Sequence, residues 1–504
     1  MTVVESVVDV EKLSDWIGLH TKSSKEYLSK QLNNWTYDSN KLQKLSKKFN
    51  RFKMEMEKED GFYEECDKIF REVSEIETKL SDLTNNQSEL EKESYGEILF
   101  FRPVLQPLNY FSYFLMLWAT VRVYILPGIS FILPILTLIA PYIILKCVFC
   151  IPMTFKNYMT ILHSMLSGNM QSIVNPNVAP EINPSTFMKQ FGVVVITLVQ
   201  GIIQPYWTYK HLKSIDDIIY EKGELVMRCK ELYERLETIL SLRGFTFFKS
   251  PLPEFSSPRE ATARIILEST YFKLALKYIG SLEVIIQLAH KKEIHMVQWV
   301  KSSKPIFDIQ DTFDFQVPSS QRKSISVSFH SQSHALLTGP NKGGKSTVLR
   351  ALSLSALLAH TYGCSIGHLT STPFYKMFVC LKPDDLPGSK SRFEREIEFT
   401  AHTLTYQLPI LIFIDELYHS TNPPDALRSC EIYCEQLWNH SQSISVISTH
   451  LFELVEKAPS TIQRICCQAT TDPQGNITFL YNLTSGICKV SSVDTLLRSN
   501  GLLK

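Results

Sequence analysis

The chain has 504 residues with an apolar fraction of 44%, a length that supports about two to four globular domains. Its net charge of +1 excludes a global basic field for polyanions and leaves room for a local one. The eleven cysteines are scattered, so neither a disulfide framework nor a zinc site, which takes about four ligands, is indicated. Cys147 and Cys150 form a lone Cys-x-x-Cys without a partner pair.

The first residues lack the basic start, apolar core and small-residue cleavage site of a signal peptide. Residues 1–98 read as a charged helical region. Both signs of charge alternate from Lys41 to Glu93, and Phe70, Val73, Ile76, Leu80 and Leu83 recur at helical spacing. The pattern suits a helical hairpin with a charged outer face, with a coiled coil or a helix packed on a partner as alternatives.

Residues 99–207 change character and form a hydrophobic region. Val104 to Val121 carries no charge, and neither does Val123 to Leu145. A membrane-spanning helix takes about 20 apolar residues, so two spans are expected here, with Arg122 and Pro127 marking a tight re-entry. One span plus an interfacial helix, or a buried helical core, would give the same composition. Phe191 to Trp207, interrupted by Gln200 and Gln204, is a third and shorter candidate. Basic residues flank both sides (Arg102, Lys146, Lys189, Lys210), so no orientation follows.

Residues 208–304 return to amphipathic helix. Ile215, Ile219, Val226, Leu232, Leu236 and Ile239 mark one face, Arg243-Gly244 and Pro251-Leu-Pro253 break it, and a second helical run extends from Thr262 to Val300. Residues 305–504 read as an α/β domain. Short strands (Ile306–Ile309, Phe313–Val317, Ile325–Phe329) lead into alternating strands and helices, the signature of a mostly parallel sheet.

Within this last region Gly339, Gly344, Lys345 and Ser346 satisfy Gly-x-x-x-x-Gly-Lys-[Ser/Thr] between an apolar strand and an apolar helix. Glycines let backbone amides wrap a phosphate, Lys345 reaches the outer phosphates and Ser346 ligates magnesium, which implies ATP and Mg²⁺ as cofactors. The strand Leu408-Pro-Ile-Leu-Ile-Phe-Ile then ends in Asp415 and Glu416. Asp415 is placed to hold magnesium and Glu416 to orient or activate the attacking water. A further strand, Val446-Ile-Ser-Thr, ends in His450, suited to sensing the γ-phosphate. Gly388-Ser-Lys-Ser391 opens a helix whose free amides suit a second subunit's nucleotide.

On these residues, the segment from about 334 to 500 resembles the ATPase domain of the MutS DNA mismatch-repair family, a branch of the ABC-type ATPases. Gly339, Pro340, Asn341, Lys342, Gly343, Gly344, Lys345, Ser346 and Thr347 are close to that family's glycine loop. Asp384-Asp-Leu386, Ser391-Arg-Phe393 and Glu396 resemble the approach to its signature helix. Asp415-Glu-Leu417 with Thr421 and Asp425 is similar to its magnesium motif, and Ser448-Thr-His450 to its histidine switch. Gly486, Ser491 and Gly501 resemble the close of the domain, and residues 260–320, more weakly, its helical lever.

The resemblance implies a homodimer with composite ATP sites and a clamp cycle on DNA. One subunit's Lys345, Ser346, Asn341, Asp415, Glu416 and His450 would hold the nucleotide. The other's Ser391 would reach the γ-phosphate in trans, with Asp425 at the interface. Lys342 departs from the family's methionine, and Tyr418-His-Ser420 replaces its Gly-Arg-Gly, which leaves the loop conformation and inter-subunit contacts open. No mismatch-reading Phe-x-Glu segment is found near the N-terminus.

The expected function is a membrane-anchored MutS-like ATPase working on DNA in mismatch repair or recombination. Its ATPase domain would lie in a reducing compartment, cytosolic or nuclear-facing. The alternative is a membrane mechanochemical ATPase acting on a protein partner without DNA. A nucleotide-gated scaffold with little turnover is disfavoured by the intact Asp415 and Glu416.

Overall fold

A computed structural model of the chain describes residues 3–58, 61–81, 93–166, 196, 199–381, 391–471, 477–490 and 497. The chain divides into two compact units, one of residues 1–74 with 276–504 and one of residues 75–275.

The first unit is a mixed α/β body built on a six-stranded sheet. From edge to edge its strands are Ile477–Ser485, Gln463–Thr471, His334–Thr338, Ser443–Ser448, Ile410–Ile414 and Lys376–Cys380. All neighbours are parallel except the edge strand Ile477–Ser485, which runs antiparallel to Gln463–Thr471. The three central strands are buried at every residue, as parallel strands covered on both faces must be. Even their polar members are satisfied inside: the His334 ring nitrogen Nδ1 and the Ser445 hydroxyl lie 2.8 Å apart. Register pairs Leu336 with Ile447 and Ile447 with Ile414, so these three strands end together. Ligands of open α/β sheets bind at that carboxyl end.

The approach to the sheet differs from the sequence reading in two places. The helical run expected to reach Val300 stops at His290, and Ile294–Met296 and Gln298–Trp299 are short strands. Phe307–Thr312 and Ile325–Ser328 are paired strands, but Phe313–Val317 is a turn. Asp314 explains the turn: its carboxylate accepts from the Gln316 amide at 3.0 Å and from Arg350 Nε at 2.8 Å, and its carbonyl accepts from the Val317 amide at 3.1 Å.

The N-terminal helices belong to this same unit. Asp38 caps the helix Ser39–Met56, which buries Leu42, Ser46, Phe49 and Phe52. Its seat is the end of the helix Lys345–Tyr362. Gly363, at φ +72°, terminates that helix so close to the Ser46 backbone that a β-carbon would lie 2.4 Å from the Ser46 nitrogen. Ser46 Oγ donates to the Gly363 carbonyl at 2.9 Å, and Trp299 Nε1 donates to Ser46 Oγ at 2.9 Å.

The second unit is helical. The two spans expected on either side of Arg122 and Pro127 are one continuous helical stretch, Ser112–Thr120, Val121–Ile125 and Leu126–Cys147, with a π-helical turn in the middle. Proline removes an amide from the ladder, and the wider turn absorbs that loss: the Leu126 amide donates to the Val121 carbonyl, five residues back. Arg122 does not mark a re-entry; its guanidinium pairs with the Glu97 carboxylate and donates from Nε to the Glu97 carbonyl at 3.3 Å. Among the described residues only the stretch Ser112–Leu133 is long and apolar enough to cross a membrane, with a mean hydropathy of 1.6. Residues 191–195, 197 and 198 of the third candidate lie outside the described residues. Its end, Val199–Ile203, is a π-helical turn that runs into the helix Gln204–Leu242. That helix buries Ile215, Ile219, Val226, Leu232 and Leu236. It is clamped to the helix Pro258–Leu267 by Arg259, whose Nε and Nη2 donate to both Asp216 oxygens at 2.7 and 2.8 Å.

Candidate functional site

The loop after His334–Thr338 makes its turn at residues that tolerate left-handed backbone: Gly339 (φ +149°), Lys342 (φ +64°) and Gly344 (φ +101°). A β-carbon on Gly343 would stand 2.8 Å from the Pro340 carbonyl, and the Gly343 amide donates to that carbonyl at 3.0 Å. Asn341 and Lys342 are exposed at the tip, and Pro340 and Gly343 are buried beneath it. Thr347 lies one turn into the helix, where its hydroxyl accepts from Arg350 at 3.4 Å.

Lys345 is only 5% exposed. Its ammonium donates to the Gly339 and Pro340 carbonyls at 3.0 and 3.3 Å and lies 3.1 Å from His450 Nε2. Burial pulls its pKa below the usual lysine range, against the opposing pull of Glu416 and Asp415. His450 Nε2 also lies 3.1 Å from Glu416 Oε1. That hydrogen bond holds the Glu416 carboxyl below its ordinary range, with burial opposing and the charges of His450 and Lys345 assisting. The Glu416 backbone sits at φ +54°, and its amide donates to Ser448 Oγ at 2.9 Å. Asp415 receives two hydroxyls, Ser346 Oγ on one oxygen and Ser448 Oγ on the other, each at 2.5 Å. Lys345, Ser346, Asp415, Glu416 and His450 are thus one connected cluster at the carboxyl ends of three adjacent strands.

Ser346 and Asp415 offer a hydroxyl and a carboxylate at one point, the hard oxygen donors that Mg²⁺ selects when phosphates and water complete its shell. Among the described residues no group of three or more His, Cys, Asp or Glu could hold a metal by itself. Cys147 and Cys150 are exposed free thiols.

The other expected site residues lie elsewhere in the chain. Ser391 caps the helix Arg392–Thr403: its hydroxyl accepts from the Glu394 amide at 3.2 Å and its own amide donates to the Glu394 carboxylate at 2.6 Å. Asp425 is in the first turn of Pro423–Trp438, where the Asn422 side chain accepts from its amide at 3.0 Å and donates to its carboxylate at 2.7 Å. Residues 382–390, including Asp384-Asp-Leu386 and Gly388, lie outside the described residues, as do Ser491 and Gly501.

The departing segment Tyr418-His-Ser420 has a definite structure. Tyr418 takes a left-handed φ of +55°, a conformation glycine adopts freely, and tolerates it because its ring is 3% exposed and its hydroxyl lies 2.5 Å from Thr400 Oγ1. Ser420 Oγ donates to Glu396 Oε2 at 2.9 Å. Both replacements therefore tie the acidic loop to the helix that Ser391 opens.

A cavity of about 270 Å³ adjoins the glycine loop and was not evident from sequence. Phe313, Val317, Arg322, Cys467 and Tyr481 line it together with Gly343, Gly344 and Thr347. These residues come from three distant stretches, and only the apolar and aromatic character of each stretch is visible in the sequence. The Arg322 guanidinium lies 4.8 Å from the centre of the Phe313 ring.

Residues 335–495 match the family model of MutS domain V. That domain is the ATPase domain of MutS-family proteins, so this segment of the chain is similar to a MutS-family ATPase domain, which is consistent with an ATPase related to DNA mismatch repair.

Proposed function

We propose that this chain hydrolyses ATP as a dimer and uses the cycle to drive a clamp-like movement on DNA, from a membrane-attached position. The observation that carries the proposal is the hydrogen-bonded cluster of Lys345, Ser346, Asp415, Glu416 and His450 at one end of the sheet. In this reading the triphosphate lies along the loop Gly339–Thr347, and the base enters the cavity between Phe313 and Tyr481. Ser346 and Asp415 would hold Mg²⁺, which neutralises charge on the phosphate oxygens. Lys345 places its ammonium on the γ-phosphate, and Glu416 accepts a hydrogen bond from the attacking water and aligns it. Water attacks phosphorus, the bond to the bridging oxygen breaks, and ADP, phosphate and a proton leave. His450, in reach of both Lys345 and Glu416, reports whether the γ-phosphate is present.

Ser391 completes the partner subunit's site in this proposal. Mixing chains that carry Lys345→Ala with chains that carry Ser391→Arg should restore Mg²⁺-dependent ATP hydrolysis that neither variant shows alone. Each mixed dimer then keeps one site with an intact loop and an intact Ser391. Failure to recover activity, with both variants folded, would rule out the composite site.

Membrane attachment rests on Ser112–Leu133, which is mostly unburied and exposes Tyr113, Leu117, Ile129 and Ile132. The full chain should be released from membranes by detergent and not by 1 M salt or carbonate. Release by salt alone would remove the anchor from the proposal and leave the ATPase untouched.

A further inference from the structure

The helix Ser39–Met56 carries Lys41, Lys44, Lys47, Lys48 and Arg51 on its exposed side, with no acidic residue between Asp38 and Glu55; partial burial holds the Lys48 ammonium below the usual lysine range, and the other four define the ridge without it. At about 100° per residue these five positions fall within roughly a 120° arc and extend along about 15 Å of helix. On a chain of net charge +1, this is a concentrated cationic ridge. We propose that the ridge is a docking surface for the phosphate backbone of duplex DNA, and that it reports occupancy to the nucleotide loop through the helix Lys345–Tyr362. The assignment rests on the DNA arm of the reading above and adds the surface that would bind it.

Three observations select the partner. The apolar side of the helix, Leu42, Phe49 and Phe52, is buried in the protein, so the apolar face that an interfacial membrane helix inserts is not on offer. Met54 is the one large apolar side chain that the helix exposes, too little for the aromatic and aliphatic anchors of a protein interface. What remains is a row of cations at regular spacing, complementary to an anion that repeats along a line.

The connection to the nucleotide loop is physical. The ridge helix sits on the last turn of Lys345–Tyr362, held by the Ser46 bond to Gly363, the Trp299 bond to Ser46, and Lys53 Nζ donating to the Lys291 carbonyl at 2.6 Å. Just ahead of it in the chain, Trp35 stacks on His360 at 3.9 Å between ring centres, and Gln31 donates to the Thr361 carbonyl at 3.0 Å. The first residue of the helix they grip is Lys345.

The test uses the full detergent-solubilised chain and a fluorescent duplex titrated across a salt series, with ATP turnover measured in parallel. Lys44→Gln/Lys47→Gln/Lys48→Gln should weaken duplex binding at least about 10-fold at low salt. It should also flatten the dependence of log affinity on log salt by about 2 to 3, near 0.9 for each phosphate contact removed. Any change in turnover on adding duplex should shrink with it, while basal turnover stays unchanged. Lys304→Gln/Lys457→Gln/Lys489→Gln removes three exposed charges on other elements and should keep the wild-type slope. An unaltered slope in the ridge variant overturns the assignment. So does the absence of duplex binding by a wild-type chain that hydrolyses ATP, or a ridge variant that keeps duplex binding and instead loses binding to phosphatidylserine vesicles. A wild-type chain without turnover that still shows the slope change keeps the ridge and fails only the ATPase reading.

Discussion

Glu416→Gln should bind ATP with nearly wild-type affinity and lose steady-state hydrolysis by about 10²- to 10⁴-fold, the range that a positioned acid–base group contributes. The substitution is nearly isosteric. The amide oxygen of glutamine can keep the contact with His450 Nε2, and the backbone amide of residue 416 still donates to Ser448. What disappears is the negative charge. In the native site the hydrogen bond from His450 favours that charged form and holds the Glu416 carboxyl below its ordinary range. A neutral amide aligns water poorly and takes no proton from it. Equilibrium binding of a fluorescent ATP analogue and phosphate release, measured on the same preparation, separate the two effects. Undiminished turnover would remove Glu416 from the chemistry and sink the mechanism built on it.

That Gly339–Thr347, Asp415, Glu416 and His450 lie at one end of the sheet was legible because each stretch follows an apolar run too short for a helix and fully buried in the sheet, such as Ile410–Ile414 and Ser443–Ser448. Sequence periodicity reports burial, and burial fixed these strands. The cavity beside the glycine loop was not legible, because Phe313, Arg322, Cys467 and Tyr481 meet only through the tertiary path of the chain. The turn at Phe313–Val317 looked like a strand because two phenylalanines and a valine outweighed Asp314, whose carboxylate in fact makes the turn. Arg122 and Pro127 looked like a break between two spans because proline ends most helices. Here a π-helical turn absorbs the missing amide, a solution that no local pattern signals. Tyr418 left the conformation of the loop after the acidic pair open. Its left-handed backbone is stabilised by burial and by Thr400, eighteen residues earlier, which a local comparison of motifs does not see.

Lys345→Ala should lower ATP affinity by about 10²- to 10³-fold, because charge-assisted hydrogen bonds contribute about 1.5–3 kcal/mol each and the ammonium is placed to make more than one with phosphate. The same change should not unfold the protein. The native ammonium is buried, and burial disfavours its charge, so removing it relieves a desolvation cost while freeing the Gly339 and Pro340 carbonyls from their bonds to it. The two contributions oppose each other in the apo protein, whereas in the nucleotide complex only a loss remains. Thermal stability makes the distinction measurable. At an ATP concentration of about 100 times the wild-type Kd, ligand binding stabilises the wild-type fold by about 2.7 kcal/mol, and a 10³-fold weaker site gains less than about 0.1 kcal/mol from the same solution. The variant should therefore melt near the wild-type temperature without ATP and fail to shift with it. A full ATP-induced shift in Lys345→Ala would show that the loop amides hold the nucleotide without this side chain. A large drop in melting temperature without ATP would show instead that the ammonium is a structural clasp of the loop, since its bonds to the two carbonyls would then outweigh the cost of burying it.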